Sequence, residues 1–197
     1  MLAVAKHKFA RFGYAGVSLD DVAQGADLSL DQLQLHFFDK RALLMALLEE
    51  SWESIDYRLE DIVLNALTSR DALFSLLALM MNVVQNDEDT ARLLLSEGRH
   101  PDPESGEFGF SEGYRRFRHA CMALVEHGQR QGRIRRDLHP QVITSMLIGA
   151  IEGLMRDRLA MGRESGVTPY NGACLMSSFD ALIASLRPDD AGREGRI

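Results

Sequence analysis

The sequence is poor in the residues that mark several large classes of protein. It has two cysteines, Cys121 and Cys174, in no C-x-x-C pattern. This argues against a disulfide scaffold and a thiolate zinc site, and it suits a reducing cytosol. No apolar run reaches the roughly 20 residues that a bilayer requires, and the first residues lack the apolar run of a signal peptide. We therefore expect a cytoplasmic protein with no membrane partner. The sequence starts inside a helical pattern, which leaves open whether natural residues precede Met1.

Positive charge is also scarce. Lys and Arg total 22 against 29 Asp and Glu, which gives a net charge of −7. This balance argues against a protein that coats nucleic acid by charge alone, although it leaves room for a local basic patch. Hydrophobic residues make up 46% of the chain, enough to build a core, so disorder of the whole chain is excluded.

Proline is confined to a few places. Only five occur, and four of them stand where other signals predict loops or helix starts. Between them Leu, Met and Ala recur at helical spacing, which predicts an all-α fold. Beyond residue 67 five helices are predicted, over residues 70–85, 87–98, 108–131, 140–161 and 170–186. The final segment, residues 188–197, is polar and is predicted to be disordered.

The first 45 residues predict three short helices and the start of a long fourth. An apolar face that ends at Gly13 marks the first helix. Ser18 and Ser29 each begin a further helix, and each has a carboxylate or amide side chain three residues on that completes a capping box. Asp39 caps the fourth helix, which runs to about residue 67. Two capped short helices joined by a few residues are typical of a helix-turn-helix, whose second helix can enter the DNA major groove.

The residues from Ala5 to Leu43 resemble the amino-terminal domain of the TetR/AcrR family of bacterial repressors. The resemblance rests on Ala5, Phe9, Phe12-Gly13-Tyr14, Val17-Ser18-Leu19, Val22-Ala23, Ala26, Leu28-Ser29, Leu33, His36-Phe37, Lys40 and Leu43. A second segment is similar to the one that leads into the family's dimerising helix, with Gly132-Arg133-Ile134, Asp137, Pro140, Gly149 and Gly153-Leu154. The resemblance implies a three-helix helix-turn-helix module, residues 1–45, followed by a six-helix ligand-binding and dimerisation domain, residues 46–187.

The resemblance also implies which residues meet a palindromic operator in double-stranded DNA. Ser18 and Ser29 are first of all helix caps, but helix N-termini are also where phosphates dock. Lys40 matches the family's phosphate-contacting lysine, and His36 is expected to face the DNA backbone rather than to be a packed core histidine. The amides of Gln32 and Gln34 suit adenine edges, although exposed glutamines are common on any surface.

The third helix departs from the family pattern. The family normally has a glycine at the position of Asp31, a tyrosine at that of Gln34 and a polar or basic residue at that of Leu30. Residues 1–43 carry five basic and five acidic side chains, so their net charge is zero. Because phosphate neutralisation supplies most non-specific affinity, the sequence predicts weak DNA binding.

Two sites are implied beyond the first 45 residues. Methionines on several helices, among them Met80, Met122 and Met146, either fill gaps in a helical core or line a cavity for a small hydrophobic effector. The strings LLLSEGR and GYRRF resemble family members that sense fatty acyl-CoA. Packing against a second copy in a two-fold four-helix bundle is implied for six residues, unless they pack within one subunit. They are Met146, Gly149, Gly153, Leu175, Phe179 and Leu182.

Enzymatic function finds little support. Glu97-x-x-His100 is similar to half of a carboxylate-bridged di-iron site, but no second Glu-x-x-His exists. The phosphate-loop, nucleophile-elbow and dinucleotide patterns are missing, and neither a cofactor nor a metal is expected. The sequence therefore predicts a protein that is not an enzyme. The resemblance to the TetR/AcrR family implies a homodimeric, ligand-responsive transcriptional repressor. The alternative is a relative that has lost DNA binding and acts as a dimeric ligand-binding or protein-partner module.

Overall fold

A computed structural model describes residues 1–99, 106, 109–161 and 172–188. Within these ranges the chain forms nine α-helices and no strand, which confirms the all-α prediction. The helices are α1 (Leu2–Phe12), α2 (Leu19–Gly25), α3 (Leu30–Gln34), α4 (Lys40–Asn65), α5 (Ser69–Asn86), α6 (Glu88–Leu94), α7 (Glu112–Arg130), α8 (Pro140–Met161) and α9 (Gly172–Ala184). Residues 189–197 of the predicted disordered tail lie outside the described residues. No helix in the described part is long and apolar enough to cross a bilayer.

The chain divides into two compact units, and each is discontinuous in sequence. Unit 1 comprises residues 1–57 and 82–117, and unit 2 comprises residues 58–81 and 118–197. The predicted domain boundary after residue 45 falls inside α4 and inside unit 1. The division into compact units therefore lies at other residues than the predicted boundary. α6, which the sequence assigned to the second domain, belongs to unit 1.

The interior of unit 1 joins the first three helices to α4 and α6. Its members are apolar side chains that are almost completely buried: Ala5, Phe9, Val17, Val22, Ala23, Leu33, Leu43, Leu44, Leu47, Leu48 and Leu93. Leu93 comes from α6, which packs against α1. The three-helix module therefore shares one core with a helix that lies some 80 residues further along the chain.

A second buried cluster of unit 1 surrounds Trp52 on α4. The Trp52 ring packs against Phe117 and Tyr114 of α7, with ring centroids 5.0 and 5.9 Å apart. A Cβ added to Gly113 would lie 2.2 Å from the Trp52 Cβ, so only a glycine lets α7 approach this closely. The Trp52 Nε1 donates a hydrogen bond to Glu97, 3.2 Å away.

Unit 2 contains α8 and α9, which bury one face each. The buried residues of α8 recur at helical spacing: Ile143, Thr144, Leu147, Ile148, Ile151 and Met155. Phe179 of α9 packs edge-on against Phe74 of α5, with ring centroids 5.7 Å apart. The turn after α9 is joined to the loop between α7 and α8, because the Arg135 amide donates a hydrogen bond to the Leu186 carbonyl at 2.8 Å. α8 begins and ends at the predicted residues, Pro140 and Met161. Its start follows from the sequence because proline is favoured at the first position of a helix.

Candidate nucleic-acid interface

The second helix, α2, begins at a complete capping box, as predicted. The Ser18 Oγ accepts a hydrogen bond from the Asp21 amide at 3.0 Å, and the Asp21 carboxylate accepts one from the Ser18 amide at 2.7 Å. The Ser18 hydroxyl also donates to the same carboxylate at 2.6 Å. These hydrogen bonds to Ser18 hold the pKa of Asp21 below its usual value. The hydroxyl proton that a phosphate would receive is therefore already given to Asp21.

The turn into α3 is equally well defined. Asp27 adopts the left-handed conformation with φ 57°, which Asp tolerates better than most residues. Ser29 then caps α3. Its Oγ accepts a hydrogen bond from the backbone N–H of Gln32 at 3.2 Å, and the backbone N–H of Ser29 donates to the side-chain Oε1 of Gln32 at 2.8 Å. Gln32, predicted to read bases, thus has its amide oxygen committed to the cap.

Lys40 lies at the start of α4 and is held by the corner between α1 and α2. Its Nζ donates to the Val17 carbonyl at 2.8 Å and lies 4.3 Å from the centre of the Tyr14 ring. Burial raises the pKa of Tyr14, and the nearby Asp39 carboxylate raises it further. Lys40 therefore places its charge beside the start of α2, and it also ties that corner to α4.

Gln34 and His36 are exposed and have no hydrogen-bond partner for their side chains among the described residues. Asp31 is exposed as well, one turn before Gln34 on the same face of α3. Leu33 is fully buried on the opposite side of the helix and fixes that orientation. The outer face of α3 thus presents one free carboxylate and one free amide.

Two apolar residues on this surface were missed by sequence reasoning. Leu35 is 85% exposed and Phe38 is 88% exposed. Leu33 and Phe37 are four residues apart and both pack in or against the core of unit 1. This spacing in the string LQLHFF was the signal that residues 35 and 38 lie outside the core. Leu35, the C-cap of α3, and Phe38, two residues before α4, therefore have almost no contact.

Among the first three helices, the basic side chains lie on α1 and not on α3. His7, Lys8 and Arg11 line a shallow surface depression of about 400 Å³, together with Phe12 and Gly25. His7 is not free, because its Nδ1 lies 2.9 Å from the Asp89 carboxylate of α6.

The same side of α1 carries the contact between the helix-turn-helix and α6. The Lys6 Nζ donates to Asp87 Oδ2 at 2.7 Å, and Asp87 caps α6 by accepting from the Thr90 amide at 3.0 Å and from its hydroxyl at 2.7 Å. Burial acts to raise the pKa of Asp87, but the hydrogen bonds from Lys6 and Thr90 outweigh it and hold this pKa below its usual value.

Glu97 has a structural role. In addition to the Trp52 hydrogen bond, its carboxylate accepts from the Ser111 amide at 2.7 Å and from the Ser111 hydroxyl at 2.9 Å. His100 of the same Glu-x-x-His motif lies outside the described residues. Among the residues that the structure does describe, no group of three metal-ligating side chains comes together.

The three methionines predicted to bind a ligand occupy different environments. Met80 on α5 is 3% exposed, Met122 on α7 is half-buried, and Met146 on α8 is 53% exposed. Met80 and Met122 therefore belong to the interior of unit 2. Met146 stands on its surface, where it is available to a partner rather than to an enclosed ligand.

The six residues predicted at a dimer interface also divide. Leu175 and Phe179 are buried within unit 2 and are not available to a second copy. Leu182 is half-buried. Met146 is exposed, and a Cβ at Gly149 or Gly153 would meet nothing within 4 Å. Together with the exposed Val142, these three residues of α8 form an open apolar face, which we call the α8 face.

These features define an all-helical protein with a helix-turn-helix at one end of the chain. No family model and no curated protein matches the sequence. Solved structures do match, and three illustrate the likeness. The transcriptional regulator FadR from Bacillus subtilis, solved with stearoyl-CoA, has a TM-score of 0.74 at 17% identity, over 94% of this chain and 95% of that one.

The other two cover similar lengths. The ketosteroid transcriptional regulator KstR2 of Mycobacterium tuberculosis has a TM-score of 0.68 at 17% identity, over 93% of this chain and 91% of that one. A TetR-family regulator from Pectobacterium atrosepticum has a TM-score of 0.64 at 24% identity, over 94% and 91%. The chain thus has the fold of TetR-family transcriptional regulators. This confirms, at the level of the fold, the resemblance drawn from residues 1–45.

Proposed function

We propose that the protein is a homodimeric DNA-binding transcriptional regulator, a repressor that a small apolar effector releases from its operator. The observation that carries this proposal is the helix-turn-helix itself. α2 and α3 are both capped by serine boxes, and Leu33 seats α3 on the core with its outer face open. A second helix held in this way is the element that enters a major groove. Ser18, Ser29, Gln32, Gln34, His36 and Lys40 remain the candidate DNA contacts.

Dimerisation is supported by the α8 face. Val142 and Met146 are each more than half exposed, and Gly149 and Gly153 leave room for another helix to approach closely. Small residues beside exposed apolar ones are what a helix-to-helix interface needs. A two-fold dimer would present two α3 helices to half-sites about 34–36 Å apart, or a multiple of that distance.

The effector is proposed to be apolar because unit 2 offers an interior of Leu, Ile, Phe and Met. Met80 and Met122 remain the candidate contacts, since methionine adapts to irregular apolar ligands. The Bacillus subtilis neighbour was solved with stearoyl-CoA, which makes fatty acyl-CoA thioesters the first class to test. An effector acts through its different affinity for the DNA-bound and released arrangements.

A second candidate is a dimeric ligand-binding or protein-partner module that no longer binds DNA. Specific observations favour it: Asp31 directs a carboxylate outwards from α3, and the Ser18 hydroxyl and the Lys40 ammonium are engaged within the chain. Each of these features lowers the attraction for phosphate.

The two candidates are separated by selection of genomic DNA fragments at low salt, followed by titration of the retained fragments. The repressor proposal expects specific retention and tighter binding by Asp31→Ala. A carboxylate about 4 Å from a phosphate costs about 1 kcal/mol in water, so the gain is about fivefold. Glu60→Ala is the matched control, because it removes the same charge from an exposed position on α4.

Failure of every variant to retain any fragment would reject the repressor and leave the DNA-incompetent module.

Lys40→Ala is expected to flatten the dependence of log Kd on log salt by about one unit if Lys40 meets a phosphate. Because the substitution also removes the bond to the Val17 carbonyl, its Tm must be compared with that of the native chain.

A further inference from the structure

The segment from the end of α3 to the start of α4 exposes two large apolar side chains. Leu35, the residue that follows α3, is 85% exposed, and Phe38, two residues before α4, is 88% exposed, although Leu33 belongs to the core of unit 1. Both side chains lie in unit 1, next to the helix that would enter the major groove. We call this pair the apolar tip.

Polar groups around the apolar tip are few. Gln32 gives its amide oxygen to the Ser29 cap. Among the described residues the Gln34 amide has no partner, and it stands next to Leu35 in the chain. The charged group on this face is Asp31, which repels phosphate. His36, the residue after Leu35, is exposed and also has no partner among the described residues. The groups that can contact base edges at the end of α3 are therefore one amide, one imidazole and two apolar side chains.

Base edges offer one apolar group in the major groove, the 5-methyl group of thymine. Its base-pair partner, adenine, offers the N6 and N7 atoms that a glutamine amide binds. Because Gln34 and Leu35 are consecutive residues, their side chains point in different directions, and we expect the amide and the leucine to contact two adjacent A·T pairs. No other base presents a methyl group, so the apolar tip can discriminate thymine from cytosine as well as from purines.

We propose that the apolar tip reads thymine methyl groups, with Leu35 as the principal contact, so that each operator half-site contains an A·T pair that is recognised by its methyl group. This inference rests on the proposed function as a DNA-binding regulator. A protein partner is the competing occupant. The place of the apolar tip directly after the second helix of the helix-turn-helix, the element that enters a major groove, favours DNA over a protein.

The test compares thymine with deoxyuridine, which lacks only the 5-methyl group and keeps every hydrogen-bonding atom. A random duplex library is selected on the full chain at low salt, and the enriched duplex is resynthesised with deoxyuridine at one thymine position after another. Fluorescence anisotropy then gives Kd for each duplex. At about 0.8 kcal/mol for a buried CH₂-sized group, replacing one contacted thymine should weaken native binding about fourfold.

Leu35→Ala assigns the effect to a side chain. This variant should bind the thymine duplex about fourfold more weakly than the native chain, and it should no longer distinguish thymine from deoxyuridine at the sensitive position. Phe38→Ala tests the second member of the tip in the same way. The matched control is Leu67→Ala, since Leu67 is 93% exposed but lies in the loop after α4 and should change neither Kd.

The outcomes separate this inference from the function on which it rests. Equal binding of the thymine and deoxyuridine duplexes at every position would overturn the inference and leave the DNA-binding function standing. A deoxyuridine effect that survives in both Leu35→Ala and Phe38→Ala would also overturn it, because another residue would then read the methyl group. Enrichment of no duplex at all would overturn both proposals and make a protein the expected occupant of the apolar tip.

Discussion

Asp87 links α6 to α1, and its replacement by alanine should destabilise the protein more than replacement of Glu88 in the same turn. The substitution removes the cap of α6, which is worth about 1 kcal/mol. It also leaves the hydroxyl of the buried Thr90 without its partner, at a further cost of about 1 kcal/mol. The Lys6 pair adds little, because the two side chains are 26% and 48% exposed and such pairs contribute about 0–1 kcal/mol.

The sum is a loss of about 2 kcal/mol, which corresponds to a fall in Tm of about 4–8 °C for a chain of this length. Differential scanning calorimetry at neutral pH measures it. Glu88→Ala is the matched control: it lies in the same turn and loses an exposed pair with Arg92, worth about 0.5 kcal/mol. Equal shifts in Tm for Asp87→Ala and Glu88→Ala would refute the reasoning, since the loss would then reflect the charge of the first turn and not the cap.

The depressed pKa of Asp87 adds a pH dependence of definite sign. A carboxylate whose pKa is lower in the folded chain than in the unfolded one stabilises the fold above the unfolded value, near 3.9. This stabilisation is lost as the pH falls through the lower, folded value. Asp87→Asn keeps the capping oxygen but not the charge, so its Tm should lie below that of the native chain at pH 7 and should converge with it once the pH falls below the folded-state pKa of Asp87. A constant difference across this range would contradict the assignment.

Two further predictions concern glycines. Gly113→Ala should destabilise the chain by about 1–3 kcal/mol, because its Cβ would lie 2.2 Å from that of Trp52. Gly172→Ala is the control, because a Cβ there, at the start of α9, would meet nothing within 4 Å and should change the stability by less than about 1 kcal/mol. Urea unfolding of both variants checks the pair. Gly153→Arg should convert a dimer of two 22.0 kDa chains into a folded monomer, as measured by light scattering. Ala78→Arg, at an exposed position of α5, is the control and should leave the mass unchanged. A native protein that is already monomeric would reject the proposed dimer.

Local interactions were the part of the fold that the sequence made predictable. The boxes at Ser18 and Ser29 join residues only three apart, so side-chain type and spacing determine them. Pro140 marks the start of α8 in the same local way. These rules place the helices of the candidate DNA interface and assign the orientation of α3.

Interactions between distant residues were not predictable in this way. The bond from Lys40 to the Val17 carbonyl spans 23 residues, and the bond from Lys6 to Asp87 spans 81. Both depend on how helices pack, and periodicity in one helix carries no information about its neighbour. The exposure of Leu35 was missed for another reason: an aliphatic residue is assigned to the core by default, and the short α3 gives too few turns to show that residue 35 falls on the outer side.

The discontinuity of unit 1 limits how such a protein can be recombined. Leu93 of α6 belongs to the same interior as Phe9, Val22 and Leu33, so residues 1–45 alone do not contain a complete core. A chimaera joined at residue 45 would place a foreign α6 against α1, and Lys6 and His7 would lose Asp87 and Asp89 as partners. A transplantable helix-turn-helix would therefore have to include residues 82–117 of the same chain.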